Sequence, residues 1–116
     1  MYNYNELNPE KIEFVPVVSE SELGNGERLF LEIDDKPIVI FNIAGEYFAI
    51  ADLCSHDEGP LGDGELEGYT IGCPRHGANF DIRDGKVLSL PAITDIPAYP
   101  VKVEAGEIFV GLPLNE

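Results

Sequence analysis

The sequence has few basic residues. Lysine and arginine total 7 against 22 aspartates and glutamates, which gives a formal net charge of −15. Nucleic acids and anionic membrane surfaces bind basic patches, so we expect neither as a partner. The longest apolar stretch, near residues 37–41, is far shorter than the roughly 20 residues that span a bilayer.

The features of a secreted protein are also missing. The first residues contain neither the basic nor the apolar segment of a signal peptide. The 2 cysteines are too few for the disulfide framework of a small extracellular domain. We therefore expect a cytoplasmic protein with reduced thiols. A length of 116 residues corresponds to one domain.

Glycine and proline are abundant, with 12 and 9 residues, which predicts many turns between short strands. Residues 19–23 are predicted to form one capped helical turn. No helical period extends beyond one or two turns, so the predicted fold class is all-β. Apolar alternation and β-branched runs predict strands at 11–18, 28–33, 36–43, 46–51, 66–73, 78–82, 86–90, 99–103 and 108–110.

Residues 52–91 differ in character from the strands around them. Their first part, 52–68, contains six acidic residues, several glycines and no lysine or arginine, a composition typical of loops. We expect a loose N-terminal tail at 1–10 and a single domain at 11–112. Within that domain, residues 52–91 are predicted to form a loop-rich subdomain.

Both cysteines and both histidines of the chain lie between positions 54 and 76, in the segments Cys54-Ser-His56 and Cys73-Pro-Arg-His76. Thiolate and imidazole groups bind zinc ions or iron–sulfur clusters. Each half of the pattern offers one sulfur and one nitrogen ligand. This arrangement suits a binuclear site, in which one metal takes both sulfurs and the other takes both nitrogens. A zinc ion stays open as the alternative.

The two halves, with their flanking residues, resemble the Rieske [2Fe–2S] motif. The resemblance covers about residues 11–112 and is strongest to the small Rieske-type ferredoxins of bacterial ring-hydroxylating oxygenase systems. It implies an antiparallel sandwich with a loop-rich cluster-binding subdomain. The matching segments read Cys54-Ser-His56-Asp-Glu-Gly59-Pro-Leu, Cys73-Pro-Arg-His76-Gly77-Ala-Asn-Phe80-Asp81, Gly85-Lys-Val-Leu and Leu90-Pro91-Ala92.

The resemblance also implies a ligand set. Cys54 and Cys73 would bind the inner iron of one [2Fe–2S] cluster, and His56 and His76 would bind the outer iron near the surface. Pro91 would belong to a loop that closes over the cluster. Glycines near the ligands would let backbone N–H groups approach the cluster sulfurs; they are Gly59, Gly62, Gly64, Gly68, Gly72 and Gly77.

The neighbours of the ligands predict a reduction potential in the lower part of the Rieske range of roughly −150 to +300 mV. High-potential members of the family carry serine and tyrosine hydroxyls where this chain has Ala78 and Phe80, and hydroxyl donors stabilise the reduced state. They also carry a disulfide at the positions of Gly59 and Arg75. Acids beside the ligand loops add a negative electrostatic potential, which disfavours the reduced state, and Arg75 is one cation that opposes it. The acids are Asp57, Glu58, Asp63, Glu65 and Glu67.

Other chemistries lack their residues. With both histidines committed, none remains for a mononuclear iron site or for a serine nucleophile. No Gly-x-Gly-x-x-Gly opens a helix and no phosphate-binding P-loop is present. We therefore expect no catalytic residue and no small-molecule substrate. What remains is one-electron transfer, and the resemblance implies a carrier that takes electrons from a flavin-dependent reductase to a terminal oxygenase. The acidic surface predicts electrostatic docking of these partners.

Two further readings stay open at this point. The chain is alternatively a Rieske subunit of a larger enzyme, since the small subunit of assimilatory nitrite reductase resembles this fold. The second alternative is that the chain is a zinc-stabilised interaction module. The sequence identifies neither the terminal enzyme nor its substrate.

Overall fold

The computed structural model describes residues 3–55, 57, 59–75 and 77–114, and this part of the chain is all-β, as predicted. It contains three short 3₁₀ helices, at Tyr4–Glu6, Pro9–Lys11 and Glu20–Glu22. Its strands are β1 Ile12–Ser19, β2 Arg28–Ile33, β3 Lys36–Ile43, β4 Glu46–Ala51, β5 Leu66–Glu67, β6 Thr70–Gly72, β7 Asn79–Asp81, β8 Ala98–Tyr99, β9 Val101–Glu104 and β10 Glu107–Pro113.

The strands form three antiparallel sheets. Two larger sheets, ordered β2-β3-β4-β8 and β1-β10-β9, pack face to face and form the base of the molecule. A small sheet, ordered β5-β6-β7, belongs to the predicted subdomain at 52–91. Among the described residues, no helix has the length and apolarity needed to cross a membrane.

Strand β3 is buried on both faces, which explains its unbroken apolar run. Ile38 and Ile40 pack into the core between the two larger sheets. Val39 and Phe41 point the other way, since side chains alternate along a strand, and pack into a second core. That second core also contains Cys54 and Cys73. The four-stranded sheet therefore packs with one face against the subdomain that carries the cysteines.

The prediction of a loose tail at 1–10 is wrong for residues 3–10, which the structure describes. Tyr4 is buried, and its ring lies 5.4 Å from that of Tyr99 between centroids. Asn3 forms an isolated parallel bridge with Ala98. The aromatic side chain thus fixes this segment against the base, which the polar composition of residues 1–10 does not indicate.

Two predicted strands are each divided. The prediction at 66–73 becomes β5 and β6, because the chain turns at Gly68, whose φ is +61°. The prediction at 99–103 spans Pro100, which has no N–H to donate to a ladder. Strand β8 before it joins the four-stranded sheet, and β9 after it pairs with β10.

The prediction of a strand at 86–90 is wrong. The chain does reverse beyond β7, but pairing is limited to an isolated bridge between Phe80 and Val87. Side chains, rather than a neighbouring strand, accept hydrogen bonds from two backbone N–H groups there. Asp95 accepts from the Val87 N–H at 2.9 Å, and Ser89 accepts from the Asn79 N–H at 3.0 Å.

Candidate metal centre

Cys54 and Cys73 come together from distant parts of the chain. Cys54 follows β4 and Cys73 follows β6 directly, and both side chains are buried. One ligand atom from each thiol and one from the Asp57 carboxylate all lie within 4.8 Å of one another. The structure therefore brings together the two predicted sulfur ligands, with an acidic group beside them.

Each cysteine begins a loop that is closed by its own backbone. The Cys54 N–H donates to the Gly59 carbonyl at 2.8 Å, and the Cys73 N–H donates to the Ala78 carbonyl at 2.7 Å. The Gly77 N–H returns to the Cys73 carbonyl at 3.0 Å. These bonds curl both loops tightly, so each presents its thiol from a fixed position.

Two residues that the sequence analysis missed anchor the first loop to the base. Asp52 accepts hydrogen bonds from the N–H groups of Leu61 at 2.9 Å and Gly62 at 2.6 Å. Arg28 on β2 donates from Nη1 to the carbonyls of Gly62 and Gly64, the latter at 2.7 Å. Asp52 comes just before the motif, but no local signal marks Arg28, which is 36 residues from Gly64.

Asp57 and Arg75 join the two loops. Arg75 Nε lies 2.6 Å from Oδ2 of Asp57, and Nη2 lies 2.9 Å from Oδ1. This hydrogen-bonded pair, with the negative field of Cys73 as a further cause, raises the pKa of Arg75 above its ordinary value. The charge of Asp57 is thus compensated directly by Arg75, the cation predicted to oppose the acids beside the ligands, and Asp57 contributes less negative charge to the site than predicted.

The two predicted nitrogen ligands, His56 and His76, lie outside the described residues, as does Glu58. The donor set that the structure does show fits an iron–sulfur cluster, because two buried thiols face one another in an apolar core.

The profile of the Rieske [2Fe-2S] domain matches residues 13–100. The chain belongs to the Rieske [2Fe-2S] family. Its cofactor is one Rieske-type [2Fe–2S] cluster, which decides between the iron–sulfur and zinc alternatives left open by the sequence.

The comparisons include several dioxygenase ferredoxins. The chain is 46% identical over 95 residues to the 3-phenylpropionate/cinnamic acid dioxygenase ferredoxin subunit of Escherichia coli K12, covering 80% of this chain and 88% of the relative. Its fold is similar to the ferredoxin of carbazole 1,9a-dioxygenase from Nocardioides aromaticivorans IC177, with a TM-score of 0.78 and 31% identity, covering 84% of this chain and 95% of that one. A chain in a complex of reduced oxygenase and oxidized ferredoxin in carbazole 1,9a-dioxygenase is similar at a TM-score of 0.79 and 25% identity, covering 89% and 96%.

The surroundings of the Rieske thiols carry no hydroxyl at the two positions that matter for the predicted potential. Ala78 and Phe80 are fully buried and pack in the same core as Cys54 and Cys73. The remaining apolar members of that core exclude water from the sulfur side of the site; the fully buried ones include Leu61, Ile71, Ile82 and Ile96.

The segment at 90–94 contributes one residue to the core that contains the Rieske thiols. Ala92 is buried in their core, next to Pro91. Ser55 follows Cys54, and its hydroxyl donates to the Thr94 carbonyl, which ties the segment to the first ligand loop.

Proposed function

We propose that this chain is the ferredoxin of a ring-hydroxylating dioxygenase system, which carries single electrons from a flavin-dependent reductase to a terminal oxygenase. One observation carries the proposal: two buried thiols meet in a Rieske domain that is 46% identical to a dioxygenase ferredoxin subunit. The curated relatives are named as ferredoxin subunits of a dioxygenase, which favours a carrier over a subunit of a nitrite reductase. We also propose a cytoplasmic location, supported by thiols that must stay reduced to bind iron.

Within this proposal, Cys54 and Cys73 bind one iron, and His56 and His76 bind the other. The bound cluster supplies a centre that takes up and releases one electron. The protein holds both thiols on curled loops in an apolar core, so the sulfur side stays dry and nearly fixed between oxidation states. Small rearrangement on electron transfer is what a carrier requires.

Leu90 and Ile93 mark the face at which the terminal oxygenase contacts the ferredoxin. The two residues are 76% and 80% exposed, although both are apolar, and they flank Ala92, which is buried in the core that contains the two thiols. Exposed apolar groups of this kind favour contact with another protein. An oxygenase seated there is brought close to the cysteine loops, and the surrounding net charge of −15 favours a basic rim on that partner.

Anaerobically purified protein tests the proposal in two stages. We expect iron and acid-labile sulfide, with an EPR signal of mixed cysteine and histidine ligation after reduction. The reduced protein is then mixed with a purified terminal oxygenase of its own system, and reoxidation is followed by visible absorbance. Material without iron and sulfide would refute the cofactor assignment, and stable co-elution from lysate with a large flavoprotein or sirohaem protein would refute the free carrier.

A further inference from the structure

The ion pair between Arg75 and Asp57 connects the two cysteine loops at their outer ends. Asp57 is three residues after Cys54, and Arg75 is two residues after Cys73. Both carboxylate oxygens are engaged by the guanidinium, in the fork geometry that makes arginine–carboxylate pairs strong and directional. The contact is partly shielded from water, with 35% and 24% of the two side chains exposed.

The guanidinium makes two further contacts with the first loop. Arg75 Nη1 donates to the Pro60 carbonyl at 2.7 Å. The guanidinium also lies close to Gly59, where an added Cβ would come within 2.8 Å of the central carbon of the guanidinium. The Gly59 N–H in turn donates to Asp57 Oδ1 at 3.0 Å. The Arg75 side chain of the second loop thus contacts three residues of the first loop, which are Asp57, Gly59 and Pro60.

We propose that Arg75 and Asp57 form a clip that keeps the two cysteine loops closed on the cluster and slows its loss. The inference rests on the proposed binding of the cluster between Cys54 and Cys73. Each loop is closed by its own backbone bonds, and behind the loops the Gly72 N–H donates to the Glu65 carbonyl. The clip adds a side-chain link between the outer ends of the loops, so Arg75 and Asp57 act as positioning residues. Arg75 and the Gly59 that it contacts occupy the two positions at which this chain has no pair of cysteines to form a covalent link.

The chain contains a matched control pair. Arg83 and Asp81 form an equally direct fork, with Nε to Oδ1 at 3.0 Å and Nη2 to Oδ2 at 2.8 Å. Asp81 ends β7 and Arg83 follows two residues later, so the fork itself stays within one turn; Arg83 also lies over the Tyr69 ring, 4.4 Å from its centroid, away from both cysteine loops. Removing it breaks the same kind of arginine–carboxylate fork and changes the charge by the same amount as removing the clip, but leaves the two cysteine loops connected.

The experiment measures cluster loss from purified holoprotein. Visible absorbance is followed in excess EDTA for the wild type, Arg75→Gln, Asp57→Asn and the double variant, with Arg83→Gln and Asp81→Asn as controls. We expect each single clip variant to lose its cluster about fivefold faster, and the double variant to be no faster than either single variant. The two controls should stay near the wild-type rate.

The midpoint potential separates the clip from a simple charge effect. Arg75→Gln removes a positive charge and Asp57→Asn removes a negative one, so the two variants should shift the potential in opposite directions. A clip nevertheless requires both variants to lose the cluster faster. Arg75→Lys keeps the charge without the fork and should also lose it faster than the wild type.

The proposal is overturned if Arg75→Lys and Arg75→Gln both keep the cluster as long as the wild type does, or if Asp57→Asn slows its loss. Should Asp57→Asn not take up a cluster, the two Arg75 variants decide. A wild type that holds iron and sulfide, with clip variants no more labile, refutes the clip alone. A wild type without iron refutes the cluster placement on which the clip rests.

Discussion

The backbone of Gly64 lies so close to that of Gly72 that a Cβ added at position 64 would come within 1.8 Å of the Gly72 carbonyl oxygen. This contact packs the end of the first ligand loop against β6, which leads directly into Cys73. The Gly72 N–H also donates to the Glu65 carbonyl at 3.0 Å, so the two segments are bonded as well as packed. The spacing between the two cysteine loops depends on this approach.

Gly64→Ala should therefore destabilise the protein and lower its cluster content. Separating two backbones requires the loop to shift, and overpacking of this kind costs roughly 1–3 kcal/mol. Chemical denaturation of the holoprotein and the ratio of iron to protein measure both effects. Gly24→Ala is the control, because the added Cβ there meets only the flexible end of the Glu27 side chain. Equal stability of the two variants would contradict the prediction.

The parts of the fold that the sequence predicts are those decided locally. Strands β2, β3 and β4 begin and end at the predicted residues, because apolar alternation is interrupted by short turns. Asp34 and Asp35 adopt positive φ values of 51° and 65° in the first of these turns, a conformation that aspartate tolerates better than most residues. Neighbouring residues are enough to specify such hairpins.

What the sequence does not predict depends on contacts between distant segments. Tyr4 is ordered by Tyr99 at the other end of the chain. Arg28 reaches the first ligand loop from β2, and Arg75 reaches Asp57 from the second loop. A motif identifies the candidate ligands by residue type and spacing, but the polar residues that hold the ligand loops follow no spacing rule.

Leu90 and Ile93 should control reduction of the oxygenase without affecting the cluster. In the variant Leu90→Ser/Ile93→Ser, the contact face becomes polar while the net charge is unchanged. Loss of two apolar contacts at a protein interface is expected to cost about 1–2 kcal/mol, or about a tenfold drop in the second-order rate. Stopped-flow mixing of the reduced ferredoxin with its oxygenase measures that rate.

Val103→Ser is the matched control for the contact face. Val103 is also an exposed apolar residue, at 38% exposure, but it lies on β9 in the sheet that does not contact the cysteines. Its variant should reduce the oxygenase at the wild-type rate. If all variants react equally fast, or if the midpoint potential of the double variant changes, Leu90 and Ile93 do not form the proposed contact.

The acidic surface should make electron transfer to and from protein partners sensitive to salt. A net charge of −15 steers basic partner surfaces over long range, and that attraction is screened beyond about 8 Å at physiological ionic strength. The second-order rate with the reductase should fall steeply between low and physiological salt. Reduction by an uncharged chemical reductant serves as the control and should change little. A flat salt profile with the reductase would exclude charge steering.

Ala78 and Phe80 should hold the midpoint potential in the lower part of the Rieske range of roughly −150 to +300 mV. Both side chains are fully buried in the core that contains Cys73, and neither has a hydroxyl that could donate a hydrogen bond to sulfur. In Ala78→Ser and Phe80→Tyr, a hydroxyl that favours the reduced state by about 1.4 kcal/mol raises the potential by about 60 mV for one electron. Redox titration measures the shift, with Phe48→Tyr as the control because Phe48 packs at the edge of this core, against Tyr69. A wild-type midpoint near the top of the range, or unchanged midpoints in both variants, would show that these positions do not set the potential.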